Sequence, residues 1–176
     1  MLKLETCLSD LNQWLAEQGL TLQIAIIGRY AFYLSGFHQI ATLDIDSVTG
    51  IEERVYEKIL EIGEYRGMKP DWLNDNAEAL PLPDGFRDRL IESRQFSNIK
   101  LHYASRGDLI SLKAAAYISR GEDDPKDFQD LLLLGPSEVE IESAIEFIRK
   151  YYSPPAERFI EDFEGRLNEL RADLKK

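Results

Sequence analysis

Six consecutive residues, Leu22-Gln23-Ile24-Ala25-Ile26-Ile27, run straight into Gly28. The run is too short for a stable helix and too apolar for a surface loop, so it reads as a strand buried in a sheet. A buried strand needs cover, and its neighbours in sequence supply it. Leu4, Leu8, Leu11 and Leu15 recur at helical spacing before Gly19, which predicts an amphipathic helix over 3–18. Residues 29–36 fit a short helix stopped by Gly36. Thr42 to Val48 alternates strictly and predicts a second strand, and Ile51, Val55, Ile59 and Ile62 line one face of a helix over 51–65.

Farther along, Lys69 to Asn76 suggests a turn leading into a short helix, and Pro81, Pro83 and Gly85 mark a loop. Phe96 to Ala104 reads as a third strand. Asp108 opens a helix to about Ser119, and Gly121 to Pro125 is a break in which Asp123 or Asp124 caps the next helix. That helix stops at Gly135-Pro136, Ser137 opens another to about Tyr152, and Pro154-Pro155 precedes a charged helix over 156–174. The order predicts an α/β (α+β) fold: a small mixed sheet with flanking helices and a C-terminal helical extension. The expected division is a domain over 1–135, with 136–176 as the extension packed on it.

Charge narrows the partners. The net charge is −11, which sets the chain as a whole against bulk nucleic acid and anionic membranes. One segment departs from this: residues 81–113 hold Arg87, Arg89, Arg94, Lys100, Arg106 and Lys113 against 4 acids. A local basic segment in an acidic chain suits a phosphate-bearing small molecule, with a short stretch of RNA as the larger alternative. No apolar run approaches the roughly 18 residues needed to span a bilayer. The start lacks a signal-peptide pattern, and the single Cys7 with only His38 and His102 offers neither a disulfide nor a zinc site. The expected address is cytoplasmic.

Asp44 and Asp46 flank Ile45 on the second predicted strand. Side chains at i and i+2 share a face, about 7 Å apart at the backbone, close enough to share a divalent ion. Hard carboxylate oxygens that leave positions for water and phosphate suit Mg2+; the alternative is a pair of solubilising acids. Gly28, at a strand end turning into a helix, can leave backbone N–H groups facing a phosphate, or can simply punctuate the chain. Lys113 is placed at the margin of a core formed by Leu109, Leu112 and Ala116, with Arg120 at the end of its helix. Lys126, Asp127 and Asp130 lie on the next helix. A lysine so placed can neutralise a triphosphate, and Asp127 can orient Lys113 or Arg120; ordinary helix-surface ion pairing is the other reading.

Taken together, Ile27-Gly28-Arg29, Thr42-x-Asp44-Ile45-Asp46, Asp108-Leu109-Ile110-x-x-Lys113-x-x-Ala116-x-x-x-Arg120 and Lys126-Asp127-x-x-Asp130-Leu131 resemble the nucleotidyltransferase superfamily of DNA-polymerase-β type. The branch they look most like is the minimal bacterial one allied to abortive-infection nucleotidyltransferase toxins. The resemblance spans residues 22 to 134. It implies two carboxylates, Asp44 and Asp46, that bind Mg2+ and catalyse nucleotidyl transfer from a nucleoside triphosphate to a hydroxyl on RNA or protein. It implies catalytic roles for Lys113 and Asp127, and nucleotide binding by Gly28, Arg29, Lys113 and Arg120. It also implies a toxin–antitoxin setting with an antitoxin as partner.

Two departures accompany it. The small residue after the family's turn glycine is Arg29 here, and the strand read as Ser97 to Tyr103 lacks the third acid of many members. The departures keep a second class open: a catalytically degenerate relative that binds a nucleotide or a partner. A third is a purely structural interaction domain that uses its C-terminal helices. His102 and His38 are placed as core-edge or substrate-facing histidines. Tyr30, Phe32, Tyr33, Trp14 and Trp72 are placed as packing residues, with base stacking as the alternative for the tyrosines and Phe32, and Cys7 as buried and inert.

Overall fold

The computed structural model describes residues 2–38, 41–120, 126–152 and 160–174. These fall into two compact units, one of residues 1–80 with 86–105 and the other of residues 81–85 with 106–176. The units thus divide after residue 105, and Gly135 lies inside the second of them.

The first unit holds the sheet. Its elements are α1 (Leu2–Gln18), β1 (Leu22–Ile27), α2 (Gly28–Leu34), β2 (Ile45–Ser47), α3 (Glu53–Arg66), β3 (Leu73–Asn74), a 3-10 turn (Phe86–Arg89), β4 (Ile91–Ser93) and β5 (Ile99–Tyr103). The sheet order is β3-β2-β1-β5-β4. It is mixed: β1 runs antiparallel to β2 and parallel to β5, β2 runs parallel to β3, and β4 runs antiparallel to β5. The apolar run that constrained the fold is therefore the central strand, as its composition demanded. Every residue of it except Gln23 is buried.

The leucine stripe of α1, with Cys7 inside it, is buried, and α1 packs on α3. Val55, Ile59 and Ile62 give α3 its buried face. Gly63 is buried beside them because the chain returning to the sheet passes over it. A Cβ there would lie 2.6 Å from the Lys69 carbonyl oxygen and 2.9 Å from that of Pro70. Trp72, fully buried, donates its indole N–H to the Ile59 carbonyl at 2.8 Å and fixes that return.

Two readings from sequence are corrected here. The 69–76 segment does not lead into a helix: Leu73–Asn74 pairs with β2 instead, in the register Ile45↔Leu73 and Asp46↔Asn74. The second strand is also shorter than Thr42–Val48. The Thr42 hydroxyl donates to the Asp44 carbonyl (3.1 Å) and accepts from the Asp44 N–H (3.5 Å). These local bonds compete with the ladder, which begins at Ile45.

The second unit is helical: α4 (Arg106–Arg120), α5 (Lys126–Leu134), α6 (Glu138–Tyr151) and α7 (Ile160–Leu174). Here α4 packs on α5, α6 and α7, and α6 also meets α7. Its start at Arg106 puts Asp108 inside the first turn, and Leu112 and Ala116 are half-buried while Ile110, Ala114, Ala115 and Ile118 join Leu109 in the core. Ser137 caps α6 in a reciprocal capping box with Glu140. The expected break at 121–125, with its Asp123 or Asp124 cap, lies outside the described residues, as do Pro154-Pro155 and the start of the last helix.

Tyr30, on α2, is buried, and among the described residues its hydroxyl has no hydrogen-bond partner. Burial, then the Glu5 carboxylate and Tyr33, push its phenol well above the usual range. A buried hydroxyl without a partner costs about 1–3 kcal/mol. Tyr30→Phe is therefore expected to stabilise the protein by about 1 kcal/mol, read as a rise in melting temperature of a few degrees, where a tyrosine with a partner would lose stability.

Candidate functional site

The site residues expected from sequence fall into two constellations, one in each unit. The first forms where β1 ends and β2 begins. Gly28 has φ +70, a conformation that L side chains rarely adopt, and this lets the chain turn from β1 into α2. The register pairs Ile27 with Asp46, so the Asp46 side chain comes against the turn. A Cβ on Gly28 would sit 2.9 Å from Asp46 Oδ2. The bare glycine is what leaves room for that carboxylate.

Asp46 is held from the other side by a residue the sequence reading missed. Asn74, on β3, is 3 % exposed, and its Nδ2 donates to Asp46 Oδ1 at 3.3 Å. The same amide donates to the Ile45 and Asp71 carbonyls at 3.4 Å, and its Oδ1 accepts from the Asn76 N–H at 3.1 Å. A signal did exist: Trp72-Leu73 is an apolar pair directly before a small amide, which suits a short buried strand as well as a turn.

Asp44 lies one residue before the ladder and keeps other company. Thr42 Oγ1 donates to its Oδ1 at 3.1 Å, and Lys69 Nζ stands 3.5 Å from its Oδ2. Ile45, between the two acids, is buried as expected, and both acids are half-buried. Lys69 also went unnoticed in the sequence. Arg29, the bulky neighbour of Gly28, is half-buried on α2.

Would these residues suit a divalent cation? The donors are hard oxygens, and the space beside Asp46 exists because Gly28 has no side chain. Among the described residues no group of three or more His, Cys, Asp or Glu could hold a metal ion. Asp44 and Asp46 are hard-oxygen donors of the kind Mg2+ takes, which is typically bound by one or two carboxylates together with water and substrate phosphates.

The second constellation joins α4 to α5. Lys113 Nζ lies 2.7 Å from Asp127 Oδ1 and 2.8 Å from Asp130 Oδ2. Arg120 Nη1 reaches Asp127 Oδ2 at 2.9 Å. The lysine side chain is 14 % exposed and the two carboxylates 3 % and 1 %, whereas Arg120 is 60 % exposed. Lys113 is thus a buried bridge, and Asp127 orients both cations.

The remaining candidates are placed individually. His102 is half-buried on β5, in register with Ala25 and Glu92. His38 is exposed and meets the Tyr33 ring edge to face at 4.9 Å. Tyr33 donates to Glu5 Oε1 at 2.9 Å. A cavity of about 330 Å³ between α1 and α3 is lined by Trp14, Tyr65 and Arg66 among others, and by none of the residues proposed from sequence for catalysis or binding.

Comparison with known proteins returns one family. The model of a family described as "Nucleotidyltransferase of unknown function (DUF6036)" matches residues 2–175. Neither the curated proteins nor the solved structures contain a significant match. No described helix is long and apolar enough to cross a membrane.

Proposed function

The chain belongs to that nucleotidyltransferase family, and on this premise we propose that it transfers a nucleotidyl group from a nucleoside triphosphate to a hydroxyl of RNA or protein, with Asp44 and Asp46 as the residues that hold Mg2+. The observation that carries the reading is the Asp46 carboxylate lodged against the bare Gly28 turn, with Asp44 two residues upstream. A half-buried carboxylate whose Oδ1 accepts from a buried amide gains little as a solubilising group. A bound Mg2+ supplies neutralisation of the negative charge on the phosphates.

The chain's own residues do the rest. Asp46 presents one held oxygen, Oδ1, which accepts from the Asn74 amide, while its Oδ2 lies on the side left open by the bare Gly28. Asp44 is held by the Thr42 hydroxyl at 3.1 Å, with exposed Lys69 3.5 Å from its other oxygen. Arg29 puts a guanidinium one residue after the turn, where it can meet a phosphate in place of backbone N–H groups. In the transfer, the acceptor oxygen bonds to the α-phosphorus as the bond to pyrophosphate breaks. The geometry of Lys113, Asp127, Asp130 and Arg120 favours the orienting role raised for Asp127 over a free phosphate-binding lysine. On this reading the cation turned outward in that set is Arg120.

A second reading has its own support. With no third acid grouped among the described residues and a bulky Arg29 at the turn, the chain also fits a degenerate relative that binds without turnover. Labelled nucleoside triphosphates with Mg2+ and total RNA or protein separate the two. The enzyme reading expects labelled product, and a loss of at least about 100-fold in Asp44→Asn and in Asp46→Asn. A triphosphate-dependent rise in melting temperature without product assigns the binding role instead. The toxin setting rests on the resemblance alone, and growth arrest on induction, relieved by Asp46→Asn, is its test.

A further inference from the structure

We infer that Asn74 is a positioning residue for the Asp46 carboxylate, an assignment that rests on the functional reading above. The first ground is orientation. An amide can be flipped without changing its shape, so its direction must be read from its partners. Here the Asn76 N–H donates to Asn74 Oδ1 at 3.1 Å, which commits that oxygen. The Nδ2 end is thereby turned to Asp46 Oδ1 at 3.3 Å and to the Ile45 carbonyl at 3.4 Å. One side chain thus ties the carboxylate to the backbone beside it.

The second ground is burial and register. Asn74 is 3 % exposed and stands directly across from Asp46 in the parallel β2–β3 pair. A buried amide is costly unless its hydrogen bonds are made, and here both ends are engaged. The third ground is chemistry. Oδ1 of Asp46 accepts from the Asn74 amide, while Oδ2 lies on the Gly28 side, where the missing side chain leaves it room. A carboxylate in place of Asn74 would turn oxygen against oxygen at that distance. A neutral donor keeps the negative charge of the site on Asp44 and Asp46. Partners of this kind hold the residues that bind a metal in their working orientation, and losing one typically weakens metal affinity about 10- to 100-fold.

The test is Mn2+ binding followed by calorimetry and by electron paramagnetic resonance. It is run on the full chain as wild type, Asp46→Asn, Asn74→Ala and Asn74→Asp, with melting curves in chelator and in saturating Mn2+. Wild type is expected to bind and Asp46→Asn to lose binding. Asn74→Ala is expected to bind about 10- to 100-fold more weakly while retaining a cooperative melt in chelator. Asn74→Asp keeps the acceptor for Asn76 but loses the donor. It is expected to bind Mn2+ more weakly than wild type, read as a smaller Mn2+-induced melting shift, because the donor to Asp46 is lost. Wild-type affinity in Asn74→Ala overturns the assignment. If that variant does not fold, a Mn2+-induced melting shift in Asn74→Asp as large as wild type's or larger overturns it. If wild type binds no Mn2+, or Asp46→Asn binds as well as wild type, the carboxylate reading itself falls and the assignment with it.

Discussion

Lys113→Met is expected to cost about 3–5 kcal/mol of stability, the largest effect of any single change considered for the second unit. The lysine ammonium bridges Asp127 and Asp130, whose side chains are 3 % and 1 % exposed. Methionine matches the length of the stem, so packing changes little and the loss is electrostatic. Arg120 still meets Asp127, but Asp130 loses this ammonium and stays buried. Removing the ammonium from a buried pair takes away charge compensation that water cannot replace there, which is why the loss exceeds that of a surface ion pair. Urea unfolding checks this: the midpoint should fall while the slope is unchanged. Adding Asp130→Asn to Lys113→Met should recover part of the loss, because the buried negative charge is removed as well. If the single variant loses less than about 1 kcal/mol, the bridge is not a structural element.

On the reading proposed above, Gly28→Ala is expected to lower nucleotidyl transfer by about 100-fold or more. A side chain at this position faces two separate penalties. The backbone sits at φ +70, which costs an L residue about 1–2 kcal/mol. The new Cβ would also stand 2.9 Å from Asp46 Oδ2, so the carboxylate must move. On the proposed reading that carboxylate holds the metal, and misplacing such a group by about 1 Å can cost about 100-fold in rate. Gly19 separates the two penalties. It has φ +65 and nothing within 4 Å of a built Cβ, so Gly19→Ala carries the backbone strain alone. Both variants should melt lower, Gly28→Ala the further of the two, and only Gly28→Ala should lose transfer and Mn2+ affinity. Equal activity in the two would separate Gly28 from the site.

The parts of the fold legible in sequence are those whose signal is local. The apolar run of β1, the leucine stripe of α1 and the capping box of α6 each declare themselves within a few residues. What escaped depends on distant partners. Leu73–Asn74 is too short to show alternation and is a strand only because β2 lies beside it. Ile91–Ser93 is mostly exposed and followed by Arg94, so nothing in it resembles a sheet strand until β5 pairs with it. The candidate site divides the same way. Gly28, Asp44 and Asp46 stand out by spacing. Asn74 and Lys69 reach them from a segment about 25 residues later, across a chain reversal packed over Gly63 that no short window shows. Lys113 was found by its helix position, but its burial between two aspartates needed the packing of α5 on α4.

The parallel pairing of Leu22 with Ile99, and of Ile26 with Tyr103, also sets a timetable for the growing chain. β1 meets β2 within a short stretch of sequence, but its other edge waits for β5. On the ribosome the most apolar strand of the protein therefore stays open along one side until residue 103 has cleared the exit tunnel. Pairings this distant close slowly, and an exposed strand edge is an invitation to other chains. Nascent chains halted between residues 50 and 95 should accordingly recruit holding chaperones, and chains released beyond residue 110 should shed them.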